Sequence, residues 1–318
     1  MTHFDAFNGD ADGLCALHQL RLAAPIDSVL VTGVKRDIAL LQRVAANAGD
    51  AVTALDISLA TNRAALIGLL EHGVAVEFFD HHYAGDIPVH PGLTAHIDLA
   101  PGVCTGILVD RHLRGAHRVW AVVAAYGDNL AAAARELAAP LALDGQRTEL
   151  LVELGENLAY NAYGDTESDL IVHPAALYRI MHAYADPFRF IDGEAVLRTI
   201  GEARRSDLEL ARAIRPAAQG GRTAVYVLPD AAWSRRVRGA IGNELANAAP
   251  RMAHAVLTPH PRGGYAVSVR APLAQPAGAD ALCRQFATGG GRAAAAGVDC
   301  LPVDMLDDFI GRMARAYP

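Results

Sequence analysis

Cysteine is scarce in this sequence. Cys15, Cys104, Cys283 and Cys300 are the only four in 318 residues, and no CxxC pair occurs, so neither a zinc cluster nor a disulfide framework is implied. Long apolar runs are missing too. None approaches the length needed to span a bilayer, and the amino terminus lacks a signal-peptide pattern. A cytoplasmic protein with no membrane partner is therefore expected. Positive charge is in deficit, with 28 Lys and Arg against 35 Asp and Glu and a formal net charge of −7. That balance argues against a long electropositive groove for duplex nucleic acid, while leaving room for a nucleotide or short oligonucleotide held by a few local cations. Half of the residues are apolar and a fifth are charged, which excludes large-scale disorder. The length favours two domains over one.

What is present is a series of polar groups placed where apolar runs stop. Residues 2–8 read as a first strand running into Gly9-Asp10-Ala11-Asp12-Gly13, after which Leu14, Leu17, His18 and Leu20 give a helical period. Two carboxylates separated by one small residue can both face a crevice in a tight strand-to-helix turn. Ser28–Gly33 reads as a second strand and 36–48 as a helix. Val52–Ile57 is a third strand closing on Asp56, followed by a helix near 61–72. The run Val74-Ala-Val-Glu-Phe-Phe is a fourth strand, and it stops on Asp80-His81-His82. In open α/β sheets ligands bind beyond the carboxyl ends of strands. Carboxylate and imidazole together suit divalent metals with mixed oxygen and nitrogen coordination. A strand over 94–99 and a helix over 104–114 follow. The apolar stretch from Val119 then leads to Gly127-Asp128-Asn129, where Asp128 is either one more site carboxylate or a helix N-cap.

Residues 145–185 read as helical, with Tyr160, Tyr163, Tyr178 and Tyr184 as core and helix-face residues rather than base-stacking ones. A charged helix over 194–214 and Pro216–Gly221 read as an interdomain connection. The pattern then restarts with strands at 224–228, 253–257 and 265–270 and helices at 234–247 and 280–286. It meets Thr288-Gly289-Gly290-Gly291-Arg292. Three glycines let backbone amides approach an anion, and Arg292 supplies a charged fork that Arg270 could join. The plainer alternative is a flexible Gly/Ala loop.

Asp10-Ala-Asp12, Asp56, Asp80-His81-His82 and Asp128, in this order, resemble the DHH phosphoesterase superfamily. Gly289-Gly-Gly-Arg-x-x-Ala-Ala-Gly297 is similar to the signature of the DHH-associated domain, with Ser268-Val-Arg270 resembling the strand before it. The resemblance covers nearly the whole chain. It implies an α/β fold with a parallel-sheet DHH domain over 1–190, a helical linker over 191–221 and a smaller α/β substrate-binding domain over 222–318. The active site would lie in an interdomain cleft. By resemblance, Asp12, Asp56, His81 and Asp128 hold one metal ion, and Asp10 and Asp56 hold another, with Asp56 bridging. Manganese is the expected ion and magnesium the alternative. A water between the two ions would be acidified into the nucleophile. His82 would face the phosphate, Asp80 would orient an imidazole, and Arg270, Gly289, Gly290, Gly291 and Arg292 would bind substrate. A homodimer is compatible with this branch.

The chain departs from the family pattern in two places, before the first motif and in the glycine motif. Many members carry a histidine where Ala6 stands, and RecJ-like members carry an aspartate where Asn8 stands, so Asn8 would offer one metal a neutral amide oxygen. Arg292 replaces the usual histidine, keeping phosphate-binding capacity but not proton donation near neutral pH. The expected function is metal-dependent hydrolysis of phosphoester bonds in a short nucleotide such as pAp, a dinucleotide or nanoRNA. The rivals are an exopolyphosphatase or other small-molecule phosphatase, and a non-catalytic nucleotide sensor.

Overall fold

Apolar runs of four to six residues, too short for helices of their own, become the parallel strands on which everything in the first half is hung. In a computed structural model describing all 318 residues, Met1–Pro318, the chain divides into two units, Met1–Glu202 and Ala203–Pro318. The first opens with β1 (His3–Phe7), α1 (Ala11–Ala23), β2 (Ser28–Val31), β3 (Ala51–Leu55), α2 (Leu59–Glu71), β4 (Ala75–Asp80) and β5 (Leu93–Ile97). The five strands are all parallel, in the order β2-β1-β3-β4-β5. Seven helices follow: α3 (Thr105–His112), α4 (Arg118–Gly127), α5 (Ala131–Ala138), α6 (Gly145–Asn161), α7 (Pro174–Met181), α8 (Pro187–Gly193) and α9 (Ala195–Arg212).

Strand alternation divides the sheet's two faces. Phe4, Ala6, Val52, Ala54, Val76 and Phe78 share one buried cluster with Leu66, Leu69 and Leu70 of α2. On the other face the fully buried Asp5 meets Arg21 of α1, whose Nε donates to Asp5 Oδ2 at 2.9 Å. Ser28 Oγ donates to the same oxygen at 2.6 Å. Burial would raise the Asp5 pKa, but the hydrogen bonds from His3, Arg21 and Ser28 and the Arg21 charge outweigh it and hold the carboxyl below its ordinary range. Closely approaching backbones place the helices: a side chain at Gly127 would meet Ala11 Cβ at 2.3 Å. The end of α4 therefore lies directly on the start of α1.

One expected element is absent. The helix read over 36–48 is an irregular path with a single 3-10 turn, Leu40–Arg43. Leu40, Leu41 and Val44 are drawn into the core below α2. Their backbone is served by Asn62, whose Oδ1 accepts from Leu41 N–H at 3.1 Å and whose Nδ2 donates to Ile38 O at 2.6 Å. Tertiary contacts here override helical propensity.

The second unit, which begins inside α9, holds β6 (Ala218–Gly220), β7 (Thr223–Val227), α10 (Ala232–Ala248), β8 (Ala253–Pro259) and β9 (Tyr265–Arg270). Beyond these come α11 (Ala279–Cys283), β10 (Gly289–Gly291), β11 (Ala295–Leu301) and α12 (Leu306–Ala316). Its sheet runs β10-β11-β9-β8-β7-β6, antiparallel except for β7 and β8. Residues read as a connection before 222 thus supply an edge strand, β6. The end of α9 is tied to α10 by Arg236, whose Nη2 lies 2.6 Å from Asp207 Oδ2. No helix is long and apolar enough to cross a membrane.

His18 reports on the packing of the first unit. It is fully buried, its Nε2 donates to Tyr184 O at 2.8 Å, and its Nδ1 is buried without a partner. Trp120 packs edge-on at 4.5 Å, with Tyr178 and His182 rings at 6.4 Å. Burial, aided by His182 and His117, lowers its pKa to about 4. In the unfolded chain it binds a proton near pH 6.5, so its contribution to stability is full above that pH and is lost as pH falls from 6.5 toward 4. His18→Gln keeps a donor for the Tyr184 carbonyl and removes the titration. Denaturant unfolding at pH 7 and pH 4 should show the wild type losing roughly 3 kcal/mol more than this variant. Equal losses in both would refute the assignment.

Candidate metal centre

The register of the sheet brings its functional groups into one row. Phe7, Leu55 and Phe79 are aligned across β1, β3 and β4. Immediately beyond, Asn8 N–H donates to Leu55 O at 3.1 Å and Asp56 N–H to Phe79 O at 3.0 Å. The turns leaving three adjacent strands therefore start level with one another, as carboxyl-end chemistry requires. From β1 comes Asp10, the N-cap of α1, whose Oδ1 accepts from Asp12 N–H at 3.0 Å and Gly13 N–H at 3.2 Å. Asp12 lies within the first turn of α1 and caps a different helix. Its two oxygens accept from Thr105 and Gly106 N–H, at 2.8 and 2.7 Å, at the amino terminus of α3, which otherwise lacks a side-chain cap. From β3 comes Asp56 with φ of 58°, a left-handed conformation rare for a residue with a side chain and often found at functional sites.

From β4 come Asp80, His81 and His82. The His81 Nε2 lies 3.4 Å from Asp56 Oδ1, 3.8 Å from Asp12 Oδ2 and 3.9 Å from Asp128 Oδ2. His82 Nδ1 is 2.7 Å from Asp80 Oδ1 and 3.8 Å from Asp56 Oδ1. Asp80 is fully buried and its second oxygen has no partner. The His82 pKa is raised, first by the hydrogen bond to Asp80 and then, against burial, by the charges of Asp80, Asp12 and Asp128. Asp128 is the C-cap of α4, not an N-cap. The contact at Gly127 carries it to the edge where Asp10 and Asp12 stand.

Electrostatics at this edge are unresolved by the protein alone. Burial, then Asp12 and Asp10, push the Asp56 pKa well above its ordinary value. Burial and Asp12 push Asp128 up to about 6 against the opposing Lys35 charge. Asp10 moves the other way: burial would raise it, but Lys35, with Nζ 2.6 Å from Asp10 Oδ2, lowers it. Crowded carboxylates with an imidazole among them have the donor chemistry of a site for a hard or borderline divalent cation. Asp12, Asp56, His81 and Asp128 are the groups brought together around one point, and their donor set fits such an ion. Asp56, His81 and His82 also offer ligand atoms within 4.8 Å of one another.

Asn8 sits differently from the rest. Its Oδ1 accepts from Asp10 N–H at 3.2 Å and its Nδ2 donates to Lys35 O at 3.2 Å, so its amide is committed to holding the turn. Lys35 escaped the sequence reading, although it lies just past the end of β2 and the carboxyl-end rule that flagged Asp10, Asp56 and His81 applies to it equally. A separate trio, Glu77, His96 and His112, also lies within ligand distance. Within it His96 pairs with Glu77 at 3.0 Å and stacks on Phe79.

In the second unit the glycine run is an edge strand rather than a loop. Gly289, Gly290 and Gly291 pair with Val298, Gly297 and Ala296, and Arg292 and Ala295 exchange backbone hydrogen bonds at 2.9 and 3.2 Å across the turn. A side chain at Gly289 would meet Cys283 O at 1.7 Å, so packing already demands that glycine. Arg270, paired with Ala295 in the register, is occupied: its Nε donates to Asn243 Oδ1 at 2.6 Å and its Nη1 to Ser268 Oγ at 2.9 Å. Arg292 is exposed at the tip of this hairpin.

No family model matches the chain, and neither does any curated protein sequence. Its fold does match solved structures. An exonuclease RecJ bound to manganese shares 18% identity at a TM-score of 0.65, covering 99% of this chain and 90% of its own. RecJ in complex with Mn2+ from Thermus thermophilus shares 19% at 0.61, with this chain spanning 52% of its length. The pGpG-specific phosphodiesterase PggH from Vibrio cholerae shares 12% at 0.54, with 99% of both chains covered. At these identities the likeness establishes a common fold. The expected α/β architecture, a parallel sheet followed by a second, smaller sheet unit, is borne out by it.

Asp56→Asn tests the centre. The amide keeps the shape but not the charge. Manganese affinity, measured by equilibrium dialysis, should fall by at least the roughly 10- to 100-fold that loss of an outer partner alone costs. Unchanged affinity would remove Asp56 from the ligand set.

Proposed function

We propose that the chain hydrolyses phosphoester bonds in a short nucleotide substrate such as pAp, a linear dinucleotide or nanoRNA, using a divalent cation, manganese by preference. The observation that carries this reading is the His81 imidazole lying 3.4 to 3.9 Å from carboxylates of Asp12, Asp56 and Asp128. Beside it stands a second imidazole, His82, half open to solvent. The fold is shared with a manganese-bound exonuclease and with a phosphodiesterase specific for pGpG, which supports phosphoester chemistry. The net charge of −7 favours a short substrate over a long polyanion.

A divalent ion held by Asp12, Asp56, His81 and Asp128 would polarise a phosphoryl oxygen and acidify a water molecule. The chain's own groups do the rest. Asp80, buried and 2.7 Å from His82 Nδ1, fixes the ring so that Nδ1–H points at the carboxylate and Nε2 is left for substrate. The Asp80 hydrogen bond raises the His82 pKa, which favours a ring whose Nε2–H can donate to an oxygen gaining charge. Thr105 and Gly106 amides hold Asp12 in place. In the second unit, the exposed Arg292 is assigned a grip on a substrate phosphate.

The deciding experiment is a panel of pAp, di- to pentanucleotides, cyclic dinucleotides, polyphosphate and pyrophosphate, assayed with Mn2+. Turnover of a short nucleotide supports the proposal, turnover of polyphosphate alone replaces it with a phosphatase of another class, and nucleotide binding without turnover replaces it with a sensor. His82→Ala should lower kcat by roughly 10²- to 10³-fold with manganese content unchanged, whereas parallel loss of both would make His82 a ligand. Arg292→Ala should lower kcat/KM on nucleotides about ten- to hundredfold with manganese retained, the effect of losing one charge-assisted contact. Wild-type kinetics in that variant would mean the phosphate is gripped elsewhere.

A further inference from the structure

The carboxylate cluster already contains a cation of its own. Lys35, in the loop after β2, places Nζ 2.6 Å from Asp10 Oδ2 and 3.6 Å from Asp128 Oδ1. Its backbone is pinned on both sides, with its N–H donating to Ala162 O at 2.9 Å and its carbonyl accepting from Asn8 Nδ2 at 3.2 Å. The ammonium is therefore delivered by the fold, from the strand next to β1. Asp10 has no oxygen without a donor, since Oδ1 faces the Asp12 and Gly13 amides and Oδ2 faces Lys35. Asn8, its neighbour, is neutral and has both amide ends engaged.

The far side of the cluster is different. There His81 Nε2 stands among Asp56 Oδ1, Asp12 Oδ2 and Asp128 Oδ2, and Lys35 reaches this side only through the other Asp128 oxygen, at 3.6 Å. Two places in the cluster attract positive charge, and the protein fills one itself. A second divalent ion at Asp10 would stand within a few ångströms of an ammonium, a like-charge contact that is unfavourable at the intermediate effective dielectric of a partly exposed site.

We infer that Lys35 replaces a second metal ion: the chain binds one divalent cation, among Asp12, Asp56, His81 and Asp128, and the Lys35 ammonium supplies the other positive charge to the substrate phosphate. This rests on the phosphoesterase reading and fixes how its site is charged. An ammonium has three donors; Asp10 and Asp128 face two of them, and the side chain is 34% exposed, leaving one for a phosphoryl oxygen. A compact charge on a flexible stem suits that contact.

The test loads the full chain with Mn2+ and reads ions per chain by metal analysis and their coupling by electron paramagnetic resonance. One Mn2+ per chain with the six-line spectrum of an isolated ion is expected. Two ions with an exchange-coupled spectrum overturn the inference, whatever any variant does. Lys35→Ala, and Lys35→Met which keeps most of the stem, should take up a second Mn2+. They should lose roughly 10²- to 10³-fold in kcat on a dinucleotide, with partial recovery at high Mn2+. Lys35→Arg should stay at one ion. Alanine and methionine variants that bind one ion and turn over like the wild type also overturn it. If the wild type binds Mn2+ and hydrolyses no phosphoester, the phosphoesterase reading fails instead, and the ion count alone decides whether Lys35 fills the second place.

Discussion

Four carboxylates cannot share the buried end of one sheet without positive charge between them, and the first unit is organised around supplying it. Asp10, Asp12, Asp56 and Asp128 arrive from α1, from the exit of β3 and from the end of α4. Burial, and after it their mutual repulsion at low effective dielectric, makes Asp56 and Asp128 hold protons more tightly than isolated carboxyls. The fold offsets part of this locally. Backbone amides at the start of α1 serve Asp10, amides at the start of α3 serve Asp12, and Lys35 faces Asp10 and Asp128. What is left over would favour a divalent cation at this edge.

The same demand explains features that look unrelated. Register across β1, β3 and β4 has to be kept, because a slip of one residue would turn every group to the other face. The buried Asp5–Arg21 pair, tying β1 to α1 from below, is one of the contacts that hold that register, and removing either partner would leave an uncompensated charge. Gly127 allows the close backbone approach that brings Asp128 within reach. Positive φ at Asp56 is a cost accepted where the chain must turn sharply to aim a carboxylate. In the second unit packing likewise dictates Gly289 and Gly291 of β10, where a Cβ would meet Cys283 O and Ala296, whereas Gly290 has open space and Arg292 is exposed.

Much of this was legible in the order of residues. Apolar runs closing on Asp56 and on Asp80-His81-His82, and the Asp10-Ala-Asp12 turn between a strand and a helix, marked both the parallel sheet and the edge where its chemistry lies. They could do so because strand ends and their side-chain types are local properties. Only the tertiary structure decided the rest. Which strands are neighbours, and that β2 lies beside β1, is a matter of topology, and through it Lys35, 25 positions after Asp10, becomes its ion-pair partner. Residues 36–48 carry a helical pattern but pack as an irregular segment, because Asn62 of α2 satisfies their backbone and the core takes their leucines. Asn8, expected as a ligand from its position, also braces the turn, since its Oδ1 accepts from Asp10 N–H and its Nδ2 donates to Lys35 O. Sequence determined which groups reach the edge of the sheet; pairing across the fold determined which of them remain free to bind.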